Sequence, residues 1–445
     1  MSMPTIHVYG AGLAGSEAAW QAARQGVDVV LHEMKPHKMT PAHHSRGFAE
    51  LVCSNSLRSD RVSNAVGLLK EELSRMGSLI MEAARATQVA AGSALAVDRD
   101  RFSAYVTEKL CANPRITVVE EEVSAIPDGQ ITVVATGPLP SDPMAAYIRT
   151  HFAGDGLHFF DAVAPIVDAS TINMDIAFFA SRYNKGDADY INCPMTREQY
   201  DAFYQALIGA EEAPLKEFDR DLQKELKVFE GCMPVEVMAR RGYDTLCYGP
   251  LKPVGLRDPR TGKDNYAVVQ LRRDNAEGTL YNIVGFQTHL TFGEQKRVFS
   301  MIPALREAEF VRYGVMHRNT YLNSPQMLDR YYRLRRAPRI RFAGQMTGVE
   351  GYVESCASGA LVGIETAAQV LGLPPVDFPQ ETAIGALSLY ISGGSVGDFQ
   401  PMNINFGIIT PLDHRVRGKR NKNAEISARS LQILDGLKQK EVFHL

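Results

Sequence analysis

The stretch that decides the fold is PTIHVYGAGLAGSEAAWQAARQGVDVVLHEMKP, from Pro4 to Pro36. Thr5 to Tyr9 is a short β-rich run. Gly10, Gly12 and Gly15 follow in G-x-G-x-x-G order, Ala14 to Arg24 reads as a helix, and a second apolar run, Val27 to Leu31, ends at Glu33. Each glycine has a physical task. Gly10 permits a tight turn out of the strand, Gly12 lets the backbone approach a pyrophosphate, and Gly15 allows close packing of helix on strand. The helix start then aims free N–H groups at the phosphates. Glu33, eighteen residues beyond Gly15, stands where a carboxylate accepts hydrogen bonds from an adenosine ribose. A glycine triplet alone is also an ordinary strand-to-helix turn; strand, helix and terminal acid together favour dinucleotide binding. Its position at the start of the chain favours FAD over NAD, by association with flavoproteins that open on such a unit.

With 445 residues, the chain exceeds one ordinary domain, and its hydrophobic share of 45% is that of a soluble globular protein. No apolar stretch reaches the length of a membrane span, and no basic region precedes an apolar signal core at the N-terminus. A cytoplasmic protein without membrane contact is expected. The net charge of −3 argues against a wholly basic nucleic-acid coat, so any nucleic-acid contact must come from local basic patches. Six cysteines (Cys53, Cys111, Cys193, Cys232, Cys247 and Cys356) are scattered without a C-x-x-C pair or short Cys/His spacing. That pattern is neither a metal site nor a disulfide framework, and free thiols are expected.

After the first unit, Lys35 to Gly47 is a loop containing His37, His43 and His44, a group read as solvated or as a proton shuttle or folate contact. LVCSNSLRSD then interrupts an apolar run with Cys53, Ser54, Asn55 and Ser56. Ser54 or Ser56 can cap a following helix, or the loop can contact a ligand beside the dinucleotide site. Leu68 to Ala86 reads as one helix. Ile131 to Leu139 is a strand leaving through Thr136 and Gly137, small residues that allow close approach of a cofactor. From about Asp161 the pattern changes to short strands with helices at Thr196 to Ile208 and Pro214 to Phe229, enclosing KVFEGCMPVEVMARRG with Glu230, Cys232 and Glu236. Arg339 to Gly363 returns to the first pattern: a strand, a turn with Gly344, Gly348 and Gly351, and a helix rich in small residues that admit something flat. The expected class is α/β. A Rossmann-type FAD-binding domain is built from N-terminal (1–171) and C-terminal (323–445) parts, with an α+β insertion domain at 172–322. The strongest basic run is DHRVRGKRNKN, with Arg415, Arg417, Lys419, Arg420 and Lys422. It is either a solvated tail or a phosphate contact.

GAGLAGSEAAW, FAELVCSNSLRSD, FEGCMPVEVMARRG, RYGVMHRNTYLNSP and AGQMTGVEGYVESCASG together resemble the folate- and FAD-dependent tRNA (uracil-5-)-methyltransferases over essentially the whole chain. The two cysteine-bearing motifs set that family apart from its larger relatives, the flavoproteins that modify wobble uridine. The resemblance implies formation of ribothymidine in the tRNA T-loop, with carbon from methylenetetrahydrofolate and electrons from reduced FAD regenerated by NADH or NADPH. By motif, Cys232 matches the nucleophile toward uracil C6 and Cys53 the second important cysteine, close to the flavin. Gly10, Gly12, Gly15 and Glu33 match FAD contacts, with Gly344, Gly348, Gly351 and Tyr352 in the closing segment. Gly137 joins them as a cofactor residue, and Arg415, Arg417, Lys419 and Arg420 as candidate RNA contacts. tRNA is the expected partner, with no metal and no stable protein partner.

These residue types suit the chemistry. A thiolate adding to uracil C6 makes C5 nucleophilic enough to take a one-carbon unit, and cysteine is both nucleophile and leaving group. Other readings are the same reaction on ribosomal RNA, a flavin oxidoreductase of a small molecule, which needs neither thiol, and an RNA-binding flavoprotein acting as scaffold.

Overall fold

A computed structural model describes residues 5–438 except 41, 154–156, 159–160, 185–187, 214–232, 263, 274–277, 279, 318–319, 395–398 and 400. The strands of the two large sheets begin, in chain order, with β1 (Ile6–Tyr9), β2 (Val29–Glu33), β3 (Ile116–Glu120) and β4 (Ile131–Val134). Next come β5 (Ile166–Asp168), β6 (Phe178–Phe179), β7 (Tyr190–Met195), β8 (Ala267–Arg273), β9 (Leu280–Ile283) and β10 (Phe310–Arg312). Two strands, β11 (Arg333–Leu334) and β12 (Ala337–Phe342), follow. The helices that matter here are α1 (Leu13–Arg24), α2 (Ala65–Arg75), α3 (Leu79–Ala86), α4 (Arg99–Cys111), α5 (Arg197–Ile208), α6 (Val235–Arg240), α7 (Tyr352–Leu371), α8 (Ala383–Leu389) and α9 (Lys419–Lys438).

The strands form two large sheets. One has the order β11-β12-β4-β1-β2-β3, parallel except for the β11–β12 hairpin, so strands from both ends of the chain share it. The other, β6-β7-β8-β9-β5-β10, is antiparallel throughout. Each has its own core. Ile6, Val8, Leu31 and Val133 are fully buried in the first, and Tyr200, Phe203, Phe286 and Phe299 in the second. Each such large apolar side chain contributes about 1.5–3 kcal/mol on burial. Strand β5 begins at Ile166, so pairing enters the second sheet ahead of residue 172. Among the described residues, no helix is long and apolar enough to cross a membrane.

The first βα turn is set by sterics. Gly10 has φ +98°, and a Cβ there would lie 2.6 Å from the Ala135 carbonyl oxygen. A Cβ on Gly15 would lie 1.8 Å from the Gly10 oxygen. Helix α7 presses on α1 in the same way: a Cβ at Gly359 would meet Ala14 O at 2.2 Å, and one at Gly363 would meet Ala18 O at 2.4 Å. At Gly359 and Gly363 the small residues of the closing helix therefore serve backbone contact with another helix, while Ser355 near its start lines the cleft described below.

The single helix expected over Leu68 to Ala86 is two. Gly77 adopts φ +70° and its carbonyl accepts the Trp20 indole N–H at 3.1 Å, which ends α2 and fixes the break. Ser78 then caps α3, its Oγ accepting from Met81 N–H. The buried Glu17 carboxylate receives both the Ser78 hydroxyl at 2.7 Å and the Ile80 N–H at 3.1 Å. Neither Ser54 nor Ser56 caps a helix. Ser56 opens a strand, Ser56–Ser59, paired antiparallel with Ala94–Val97, and the next helix starts after Asn64.

Changing Gly359 to Ala should lower the stability of the protein by about 1–3 kcal/mol, because the added methyl meets backbone rather than a movable side chain. Urea unfolding measures this, and an unchanged midpoint would contradict the α1–α7 contact.

Candidate cofactor and catalytic site

The C-terminal ends of β1, β2 and β4, the start of α1 and the start of α7 surround a cleft with about 1300 Å³ of open space. Sheet order explains its place. Ligands of parallel α/β sheets bind beyond the carboxyl ends of the strands, at the point where strand order reverses, here around β1. Glu33 ends β2 and is buried at the rim. Its Oε2 accepts the Ala11 N–H at 2.7 Å and its Oε1 the Lys35 N–H at 3.0 Å. Each carboxylate oxygen has a further lone pair to offer.

The residues present fit a dinucleotide. No side chain caps α1 at Gly12, and a Cβ built on Gly12 meets nothing within 4 Å. Uncapped N–H groups therefore face open space lined by Gly10, Gly12, Leu13 and Ala14. Next to Gly10 the Thr136 hydroxyl is buried without a hydrogen-bond partner among the described residues, beside Gly137 at φ +66°. A buried hydroxyl left unpaired costs about 1–3 kcal/mol, which a polar ligand in the cleft removes.

Cys53 and Tyr352 line the cleft together. Tyr352 is the first residue of α7, and its phenolic oxygen accepts two backbone N–H groups, from Cys53 at 2.7 Å and Ser54 at 3.0 Å. Burial pushes the phenol pKa well up, so the ring stays protonated and neutral at physiological pH. It thus holds the Cys53 loop through its oxygen without adding charge beside the thiol.

A family model described as glucose inhibited division protein A (GIDA) matches residues 5–374. A Lacticaseibacillus paracasei protein named methylenetetrahydrofolate--tRNA-(uracil-5-)-methyltransferase TrmFO is 58% identical over 432 residues, 97% of each chain. An Acetivibrio thermocellus protein of the same name is 59% identical over 430 residues, 96% of this chain and 97% of that one. The chain belongs to this family. The Aquifex aeolicus GidA structure superposes with a TM-score of 0.70 over 99% of this chain and 75% of that one, at 15% identity, which establishes a common fold.

The other residues singled out by the family motifs are distributed unequally. Gly344 lines the cleft and Gly137 faces it. Gly348 and Gly351 do not line it: Gly348 packs against the Phe399 ring, and Gly351 precedes α7 next to the carboxylate of Glu354, which pairs with Arg58. Cys232 lies outside the described residues, as do Glu230 and the helix expected over Pro214 to Phe229. The described ends on either side meet on one stretch, with Ala213 N–H donating to His289 O at 2.8 Å and Val235 N–H to Gln287 O at 2.7 Å. Glu236, fully buried on α6, accepts from the Thr288 hydroxyl at 2.7 Å and the His289 N–H at 2.8 Å. Those bonds knit this stretch to α6.

Among the other thiols, Cys193 is buried in β7 and Cys356 in α7, where burial raises the pKa of both and, for Cys356, Glu17 raises it further. Neither can ionise readily. Cys111 is exposed and Cys247 half-buried. Of the loop histidines, His37 and His44 are exposed, but His43 turns into the cleft, its Nδ1 at 2.5 Å from Thr40 Oγ1. Burial and the nearby Lys35 ammonium lower its pKa. The three histidines are therefore not one solvated group. Sequence reasoning also passed over Lys35, His32 and Gln345 as lining residues; only the position of Lys35, just past Glu33, signalled it.

The basic run stands away from the cleft on the outer face. Arg415, Arg417, Arg420 and Lys422 are exposed, and none has an ion-pair partner among the described residues; Lys419 opens α9. Asn423 donates to Ser63 O at 3.1 Å and Ser427 to Val62 O at 2.7 Å, which docks α9 beside the loop that follows Ser56–Ser59.

Gly12→Val should yield protein without bound flavin, because its side chain fills the space left for phosphate, and Glu33→Ala should lower flavin occupancy by releasing the Ala11 and Lys35 N–H groups. Flavin absorbance of purified protein reads both. A fully loaded, yellow Gly12→Val protein would contradict the assignment.

Proposed function

We propose that this chain is a tRNA (uracil-5-)-methyltransferase that takes its carbon from methylenetetrahydrofolate and forms 5-methyluridine in the tRNA T-loop. The observation that carries the reading is Cys53 held by Tyr352 on a dinucleotide cleft, in a chain 58–59% identical to proteins of that name. The FAD-binding unit comprises 1–171 and 323–445 and the inserted unit 172–322, a division supported by two sheets with separate cores. The enzyme works in the cytoplasm, where its tRNA substrate is found.

In this reading Gly10, Gly12, Gly15, Glu33, Gly137 and Gly344 form the FAD cradle, with Tyr352 beside it. Gly348 and Gly351 shape the turn before α7. Cys232 thiolate adds to uracil C6, and the displaced electron pair makes C5 nucleophilic. C5 then takes the one-carbon unit of methylenetetrahydrofolate. Cys53 removes the C5 proton as the general base, and the electron pair left at C5 breaks the bond from the one-carbon unit to the folate nitrogen, releasing tetrahydrofolate and leaving an exocyclic methylene. FAD, held by the cradle residues, would when reduced supply the hydride that converts the exocyclic methylene to a methyl group, with NADH or NADPH as the source of its electrons. Cys232 then leaves C6 as the thiolate as the C5–C6 double bond is restored. Arg415, Arg417, Lys419 and Arg420 contact RNA phosphates, a role supported by the exposure of the arginines and by their unpaired charge.

Mass-spectrometric nucleoside analysis of tRNA incubated with enzyme, methylenetetrahydrofolate and NADH should show 5-methyluridine. Modification of ribosomal RNA alone, or of no RNA, would replace the reading with one of its alternatives. With 5-fluorouridine RNA, wild type and Cys53→Ala should form a covalent adduct that Cys232→Ala does not, and both single variants should lose methylation. An adduct mapping to Cys53 would reverse the two roles. Changing Arg415, Arg417 and Arg420 to Ala should flatten the salt dependence of RNA binding, by a log–log slope of up to about 0.9 for each phosphate no longer neutralised on a duplex and less on single strands. An unchanged slope would return the run to a solvated surface.

A further inference from the structure

The loop carrying Cys53 is held on two sides, and only one of them belongs to the cofactor-binding sheet. From that side Tyr352 accepts the Cys53 and Ser54 N–H groups at 2.7 and 3.0 Å. From the other, the Arg272 guanidinium reaches out of β8 in the second sheet. Its Nη2 donates to Ser54 Oγ and its Nε to Asn55 Oδ1 at 3.3 Å. Asn55 answers in the opposite direction, its Nδ2 donating to Arg273 O at 2.7 Å and to Val97 O at 3.1 Å. Asn55 is fully buried, so its amide is committed to these partners.

We infer that Arg272 is a positioning residue for Cys53: it transmits the placement of the inserted sheet to the thiol through Ser54 and Asn55. The inference rests on the reading of Cys53 as a reacting group. Three facts support it. First, Cys53 to Asn55 lie in neither helix nor strand, and an unrestrained residue gives up about 1–2 kcal/mol of backbone entropy when ordered. External hydrogen bonds must supply that order. Second, β8 is paired on both edges, with Arg272 opposite Tyr190 on one side and Asn282 on the other, so the guanidinium springs from a fixed backbone. Third, the two acceptors sit on successive residues and are met by two different nitrogens of one planar guanidinium, Nη2 and Nε, a fixed two-pronged geometry that the single nitrogen of a lysine does not reproduce. A displacement of about 1 Å at a reacting group can cost about 100-fold in rate, so a loop held at both ends matches the demand of proton transfer better than of binding.

The test uses full-length, FAD-loaded enzyme and the variants Arg272→Ala, Arg272→Lys, Ser54→Ala and the Arg272→Ala/Ser54→Ala pair. Arg272→Ala should lose about 100-fold in kcat with KM for tRNA within about twofold of wild type, and should still form the 5-fluorouridine adduct at the wild-type rate. Arg272→Lys should recover less than about tenfold of the loss, since a single nitrogen does not reproduce the two-pronged geometry of the guanidinium. The double variant should lose less than the sum of the two single losses, because each single change already removes the bond between Arg272 and Ser54. Wild-type kcat in Arg272→Ala, additive losses in the double variant, or a raised KM with loss of the adduct would each overturn the inference, the last by making Arg272 an RNA contact. Should Arg272→Ala fail to fold or to hold FAD, Ser54→Ala, which removes a single hydroxyl, carries the same test. Wild-type kcat there overturns the inference too. Cys53→Ala run alongside separates the two failures. If it still methylates, the reading of Cys53 is wrong; if it is inactive while Arg272→Ala is not, only the clamp is.

Discussion

The structure depends on backbone meeting backbone where α1 leaves the first turn. Gly15 lies against the Gly10 carbonyl, and Gly359 and Gly363 bring α7 onto the carbonyls of Ala14 and Ala18. A Cβ at Gly15, Gly359 or Gly363 would lie 1.8–2.4 Å from a carbonyl oxygen, so a side chain there would push these elements apart. Because α7 follows β12 and α1 follows β1, that contact ties the last part of the chain to the first, and the starts of both helices border one cleft. Phosphate recognition at α1 and the presentation of Tyr352 at α7 are thus consequences of one packing constraint.

Buried carboxylates brace the same framework. Glu17 receives the start of α3, while Glu72 receives the Ala383 and Ile384 N–H groups at 2.7 and 2.9 Å at the start of α8, together with the Ser430 hydroxyl from α9. Burial opposes their charge, lifting Glu72 to about 7 and raising Glu17, whereas the helix-end donors favour it. Glu33 is bonded by backbone N–H groups in the same manner but sits at the rim of the cleft. Its position there turns it toward the cleft, where the others are struts.

The inserted sheet has a core of its own and meets the cofactor-binding part at the loop that bears Cys53. Asn55, buried between Val97 and Arg273, is one of the points where the two parts exchange hydrogen bonds. The Cys53 loop at this junction takes its geometry from both.

The sequence by itself determined the first βα turn, the acid at the end of β2 and the return to the same sheet after Arg339. These rest on local chain geometry, in which a glycine or an acid at a fixed spacing has few roles to choose from. The polar cluster around Cys53 also stood out, since Ser and Asn do not belong in an apolar run. Only the tertiary structure decided that the helix over 68–86 breaks at Gly77, because the deciding partner, Trp20, is distant in the chain. The same holds for the small residues of α7, whose contact is another helix, and for His43, which turns inward while His37 and His44 do not. Arg272 is the extreme case. Nothing near it in sequence marks it, and its partners Ser54 and Asn55 lie more than 200 residues earlier, so its role exists only once two sheets have met.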